Sequence, residues 1–464
     1  MNDPDDDMPK DTEKKAKGSA AEPSEMQKLF YTSRIEKSEG KSEEKYIEKS
    51  EYILNGTRYE EAYDSANRTA YFIGCSIKDD TLVFTRKSKL ILGNLTIHPI
   101  LDDLLQKEFV VLPTQPTEYG SISELDERIK QFVNNWCGVS EGHLKIVPSF
   151  VRLTWVIDVL FSTPYLKVLA PYGQGKSRYL DTIGGLCRKA MFVGGAVKSA
   201  PIFRTIDTWR GTLVLDEFNL EKSEDTQAIM QILNQGIERK KAVLRCKDGD
   251  YSKVEAFDSF GPKVIASKKI NRDEAFESRC ITEIMHETTK KPVLLTKEFY
   301  AERLALQNQL LMYRFRNLGK IDSERLNRFD FGQINPRIRQ VYSPLLLAYP
   351  EGDPMEAELV KIMEARSDEI RTDDTEGMDG IVFNMYEELR SFDDGGVITA
   401  AAICQGIKAS DPVTYEKLTP IGVGRILAPL GFKKTVKKID GKTVRLVTID
   451  ADTRMMLRSK YVVD

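Results

Sequence analysis

YLKVLAPYGQGKSRYLDTIGGLCRKA, residues Tyr165 to Ala190, is the stretch on which the reading of the fold turns. Its first six residues form a short apolar, β-prone run, which predicts a strand over Tyr165 to Ala170. Lys176 to Ala190 carries one apolar face at helical spacing and predicts a helix. A glycine-rich turn between a strand and a helix is the setting a phosphate-binding loop requires. Gly173 and Gly175 let the backbone curl so that its N–H groups, with the helix N-terminus, face an anion. Lys176 supplies positive charge for β and γ phosphates, Ser177 supplies a hydroxyl for Mg2+, and Gln174 and Arg178 complete the loop's contact residues. Ala170 stands where the motif usually begins with glycine.

Working outward, Leu213-Val-Leu-Asp216-Glu217 is an apolar strand that runs into two acids. Placed beside the loop strand, Asp216 would hold Mg2+ through water and Glu217 would polarise an attacking water, so hydrolysis is expected as well as binding. Between and after these lie MFVGG, read as a strand, SAPIFRTI, a helix capped by Ser199, DTQAIMQILNQGI, a further helix, and PKVIAS (Pro262 to Ser267), a fourth strand. Strands alternating with helices predict an α/β fold with a parallel sheet and crossover helices.

The 464 residues exceed what one hydrophobic core usually serves, and five segments are expected. Residues 1–50 are a charged, apolar-poor tail, read as disordered. Residues 51–120 form a small β-containing N-terminal domain, 121–290 the α/β core, 291–376 a helical lid and linker, and 377–464 three helices and a hairpin, the plan of a winged helix. Lys plus Arg number 68 and Asp plus Glu 71, so the total charge points to no nucleic-acid or membrane partner and any basic site must be local. One exists: GFKKTVKKIDGKTVRL carries Lys433, Lys434, Lys437, Lys438, Lys442 and Arg445 against Asp440 alone. It predicts salt-sensitive contacts to the phosphates of duplex DNA. Six dispersed cysteines, three histidines and the lack of any long apolar run or leader-like start point to a cytoplasmic protein without a zinc site or disulfide framework.

Together the loop, the Asp216-Glu217 strand, DTWRGTLVLDE and FGPKVIAS resemble AAA+ ATPases, in particular the MCM-like and superfamily 3-like helicases of mobile elements, plasmids and phages. The resemblance implies ATP and Mg2+ as cofactors and a homo-hexameric ring. It implies that Arg279, in ESRCI, serves as an arginine finger toward a neighbouring subunit, that Ser267 is the sensor-1 residue, and that Arg337, or Arg339 in the same NPRIRQ stretch, contacts nucleotide as sensor 2. It also implies that the hairpin-like ERKKAVLRCKDGDYSKVEAF enters the ring pore and grips single-stranded DNA through Lys247 and Lys253. Two other readings remain: an initiator or loader that uses ATP to hold DNA without translocating, and a protein-remodelling ATPase.

Overall fold

The computed structural model describes residues 45–171, 173–194, 197–216, 224–247, 250–271, 273–285, 294–391, 397–439 and 442–462. The described residues fall into two units, one within Met1–Gly332 and Pro336–Val360, the other within Gln333–Asn335 and Lys361–Asp464. The first unit begins with seven strands: β1 (Lys45–Glu48), β2 (Glu51–Leu54), β3 (Thr57–Asp64), β4 (Thr69–Lys78), β5 (Thr81–Lys87), β6 (Leu90–Leu92) and β7 (Leu95–His98). β2 to β5 form an antiparallel meander, and β1, β7 and β6 a second small sheet. Asn55-Gly56 links β2 to β3 with φ of 49° and 77°, a two-residue turn whose twist matches its strands. β1 lies inside the stretch expected to be a tail, because Lys45 to Glu48 pair in parallel with Leu95 to His98.

The main sheet is mixed α/β architecture, ordered β15 (Cys280–Ile284), β9 (Tyr165–Leu169), β14 (Lys263–Ser267), β11 (Leu213–Leu215), β10 (Ala190–Val193) and β8 (Val110–Val111). All neighbours are parallel except β8, which runs antiparallel to β10. The expected 51–120 segment therefore contributes an edge strand to the core sheet. β11 does not lie beside β9: β14 separates them, with Ile265 opposite Leu215 on one side and Lys167 on the other. LVL and VIA are both buried on both faces, so periodicity cannot say which takes the centre. The helix after the loop is also shorter than expected, Lys176–Thr182, followed by a 3-10 turn Gly184–Leu186. A side chain at Gly184 would meet Val214 at 3.0 Å, and this close approach brings the turn onto the sheet. Ser199 does not cap its helix; it is the first helical residue of Ser199–Trp209, after Lys198.

A buried charge cluster joins distant parts of this unit. Arg314, on the helix Lys297–Asn317, is fully buried and donates to Glu60 of β3 (2.6 Å), to the Trp155 carbonyl (2.7 Å), to both carboxylate oxygens of Asp158 and to Glu51 (3.3 Å). Arg188 donates to Glu51 and to Glu60 (2.8 Å), and Lys189 Nζ reaches Ser50 Oγ (2.9 Å). Burial raises the Glu51 carboxyl, and Arg188, Lys189 and Arg314 outweigh it, holding it well below the usual carboxylate range. The segment expected to be a lid is thus tied by its helix to the N-terminal strands and the core.

The second unit contains the helices Met378–Ser391, Ala400–Ser410 and Pro420–Leu427, then the antiparallel ribbon of β16 (Lys433–Ile439) and β17 (Lys442–Thr448), and a fourth helix, Ala451–Tyr461, absent from the sequence expectation. Thr399 Oγ1 and Thr419 Oγ1 cap the second and third helices by accepting from Ala402 N (3.0 Å) and Gly422 N (3.1 Å). Phe383, Tyr386, Ile403, Ile407, Val423 and Leu427 build its core.

Arg314→Met is expected to lower the stability of the first unit by about 3–5 kcal/mol, since it strands Glu60 and Asp158 in a buried setting. Arg316→Met, whose partner Glu118 faces solvent, is expected to cost about 1 kcal/mol or less. Urea denaturation at pH 7 followed on both variants checks the contrast, and equal losses would contradict it.

Candidate functional site

At the carboxyl edge of the parallel strands, β9 hands the chain to the Ala170–Gly175 loop. Ala170 N donates to Ser267 O (3.2 Å) at the end of β14, so the central strand fixes where the loop begins. Gly173 and Gly175 have φ of 77° and 87°, left-handed backbone that glycine adopts without strain. A side chain at Gly175 would also put its Cβ 3.1 Å from Met285 Cε. Lys176 is buried, and its ammonium donates to the carbonyls of Ala170 and Pro171, both at 2.8 Å, which holds the cation over the loop. Gln174 lies within the loop, and Arg178 follows on its helix.

Ser177 Oγ donates to Asp216 Oδ2 at 3.2 Å. The register brings this about: Asp216 follows β11, and its N–H donates to Val193 O of β10 at 3.0 Å. Asp216 Oδ1 is buried with no hydrogen-bond partner among the described residues. An orphaned carboxylate oxygen beside a hydroxyl is a pair of hard oxygen donors and suits Mg2+. Ser267 is buried on the same edge, its hydroxyl donating to Lys269 O at 3.1 Å. Glu217 lies outside the described residues.

A second layer, which no sequence motif marks, supports the loop helix from behind. Ser140 N and Oγ donate to Glu283 on β15 at 2.6 and 2.8 Å, and His143 Nε2 meets the Tyr179 hydroxyl at 2.7 Å. Tyr179 sits on the helix Lys176–Thr182. Burial lowers His143 to about 4, so the ring is neutral at pH 7. These residues come from three dispersed segments, and no spacing rule links them.

Arg279 and Arg337 lie at the opposite edge. Arg279 O accepts from Tyr165 N at the start of β9 (3.2 Å), and its guanidinium donates to Ala275 O. Five strand residues, about 13 Å of rise, separate that edge from the loop. Arg337 donates to Gln340 (2.6 Å), which in turn donates to Glu238 (2.7 Å). Partial burial lowers Arg337, with the charge of Arg279 adding to the effect. The helix Pro336–Leu346 of the segment expected to be a lid thus carries Arg337 within electrostatic reach of Arg279.

β12 (Ala242–Lys247) and β13 (Asp250–Asp258) form a hairpin at the same sequence position as expected. Phe257 packs on Phe203 at 4.8 Å between ring centroids, and Arg245 lies over the Phe203 ring. Lys247 and Lys253 are exposed, as are Leu244 and Val254. In the second unit Lys433, Lys434, Lys437, Lys438 and Arg445 are exposed on the β16–β17 ribbon, where the backbone of Lys442 opens β17.

Fold and site define an α/β protein with a glycine-rich, lysine-bearing loop on the carboxyl edge of a parallel sheet. No family model matches the chain, and no curated protein matches it. Among solved structures it is similar to the apo C-terminal region of NrS-1 (12% identity, 84% of this chain and 96% of that one, TM-score 0.38). It is also similar to SCCmec type IV Cch, an active helicase (10% identity, 90% and 73%, TM-score 0.35). A third is the replication initiator DnaA bound to AMPPCP and single-stranded DNA (11% identity, 64% and 90%, TM-score 0.22). Among the described residues no helix is long and apolar enough to cross a membrane.

Since His143 binds its proton near pH 4 when folded and near 6.5 when unfolded, the unfolded chain holds more protons between those values and stability falls as pH drops through them. His143→Gln is expected to escape this part of the loss, narrowing the stability gap to wild type by about 2 kcal/mol between pH 7 and pH 5. Denaturant midpoints at the two pH values read it out, and a constant gap would show that the ring is not held neutral.

Proposed function

We propose that this chain is an ATP-hydrolysing AAA+ motor acting on DNA, of the MCM-like and superfamily 3-like helicase kind, working as a homo-hexamer. The observation that carries the reading is the Ser177–Asp216 pair at 3.2 Å beside Gly173, Gly175 and Lys176 on one sheet edge. The loop N–H groups and Lys176 take the β and γ phosphates, with Gln174 and Arg178 as flanking contacts. Ser177 and Asp216 hold Mg2+, which when bound neutralises charge on the β and γ oxygens. Ser267, anchored next to the loop, is the polar residue nearest the γ phosphate in this reading. Glu217 follows Asp216 directly and orients the attacking water.

Arg279 is separated from its own loop by the length of β9, so as a finger it acts on the nucleotide of a neighbouring copy. This geometry supports assembly, because a lone subunit lacks the cation that stabilises charge on the leaving groups. The β12–β13 hairpin supports a motor over a loader: it offers an aromatic-anchored ribbon with Lys247 and Lys253 exposed, suited to gripping a single strand. The three helices and ribbon of the second unit support a winged helix that binds duplex through its lysines.

Lys176→Ala and Arg279→Ala are each expected to lose ATP turnover by two orders of magnitude or more, and mixing the two proteins is expected to restore part of it, because each supplies the half-site the other lacks. Turnover that stays absent while mixed rings form would remove the trans role of Arg279. Glu217→Gln is expected to bind ATP and stall before hydrolysis, seen as ATP retained on the protein; normal turnover would assign the base elsewhere. Replacing Lys247 and Lys253 together with alanine is expected to abolish stimulation of ATP turnover by single-stranded DNA and unwinding of a fork. Unwinding at the wild-type rate would favour the initiator or loader instead.

A further inference from the structure

The basic sequence of the C-terminal ribbon is not a single basic face once folded. Strand side chains alternate, and the register pairs Lys434 with Val447, Val436 with Arg445 and Lys438 with Thr443. One face therefore carries Lys434, Lys438 and Arg445. The opposite face carries Lys433 and Lys437, paired with Thr448 and Val444. The doublets Lys433-Lys434 and Lys437-Lys438 thus place one cation of each pair on either side. All five side chains are exposed, and none makes an ion pair among the described residues. The charged neighbour seen at the ribbon base is Asp450, which caps the last helix and feels Lys433.

The helix before the ribbon does not share this character. Its exposed positions include Pro420, Ile421 at 71% exposure and Arg425, so it offers one cation and a largely apolar surface. A β-carbon added to Gly424 would lie 3.8 Å from Lys434 Nζ, an ordinary contact distance, so the Lys434 ammonium lies beside that helix. Duplex binding in this unit accordingly falls to the ribbon.

Resting on the reading of this unit as a DNA-binding element, we propose that the β16–β17 ribbon enters a groove of duplex DNA edge-on, with its two faces against the two phosphate rows that wall that groove. A ribbon docked flat would bring one set of cations to phosphate and turn the other to water. A ribbon standing in the groove uses both. Packed sheets are spaced by about 10 Å, a measure of ribbon thickness with side chains, and the major groove is about 12 Å wide against about 6 Å for the minor. The major groove is therefore the one that admits it. Phosphate contact on both sides gives affinity without base readout, in keeping with aliphatic Val436 at the centre of one face.

The test uses the full chain and a mixed-sequence duplex of about 20 base pairs, with affinity measured by fluorescence anisotropy over a range of salt. K433A/K437A is expected to reduce the slope of log affinity against log salt by up to about 1.8, and K434A/K438A/R445A by up to about 2.7, at about 0.9 per phosphate contact, with the two losses adding in the fivefold variant. Lysine-to-arginine versions of both sets are expected to keep the wild-type slope, separating charge from misfolding. A drug that fills the minor groove is expected not to compete. If one set alone carries the whole change, or the drug displaces the protein, the edge-on major-groove arrangement is wrong while DNA binding by this unit stands. If the fivefold variant keeps the wild-type slope, the DNA-binding reading of the unit itself fails.

Discussion

Arg314 and Arg188 are buried, and pairing them ties the first strands, the turn before β9 and the helix Lys297–Asn317 together. Their partners Glu51, Glu60 and Asp158 come from the first strands and from the turn before β9, more than a hundred residues away in each of these hydrogen bonds. Each charge alone would be costly to bury; together, with the Trp155 and Arg210 carbonyls, they are compensated. The consequence is positional. The helix Lys297–Asn317 cannot leave the core without exposing an ion network, so it acts as a brace, and Gln307 Nε2 on the same helix donates to Gly185 O (2.6 Å) behind the loop helix.

Upon that brace the parallel ladder gives the sheet two chemically different edges. Strand direction is shared by β9, β14, β11, β10 and β15, so all their carboxyl ends emerge together. Lys176, Ser177, Asp216 and Ser267 gather there. Arg279 precedes β15 and Arg337 joins it, so both fall at the amino ends. A single residue order thus separates phosphate-binding groups from the arginines by a strand's length, and the proposed division of the active site between two copies follows from that separation. β15 spans the interval: Arg279 precedes it, Glu283 lies within it under Ser140, and Met285 follows it against Gly175.

Hairpins supply the proposed DNA contacts in both units, and for each the fold changes what a list of lysines would suggest. In the β12–β13 hairpin the Val243 and Phe257 face is used against the helix Ser199–Trp209, leaving Leu244 and Val254 exposed on the other. In the β16–β17 ribbon the lysine doublets divide between faces. Of the five exposed cations a flat partner therefore meets three or two.

The loop was legible in the sequence because its chemistry is local: left-handed φ at positions 173 and 175 requires glycine, and a lysine and serine must follow immediately to share the same turn. The same holds for the alternation of strand and helix, each element set by a run of a few consecutive residues. Ser199 failed as a cap because its neighbour Lys198 takes the N-cap position, a matter of one residue that propensity does not resolve. Strand order, the place of Arg337, the Ser140–Glu283 and His143–Tyr179 supports and the Arg314 cluster were decided only in three dimensions. Periodicity states which face of an element is buried and never which element covers it, and a buried charge names no partner until the chain has folded around both.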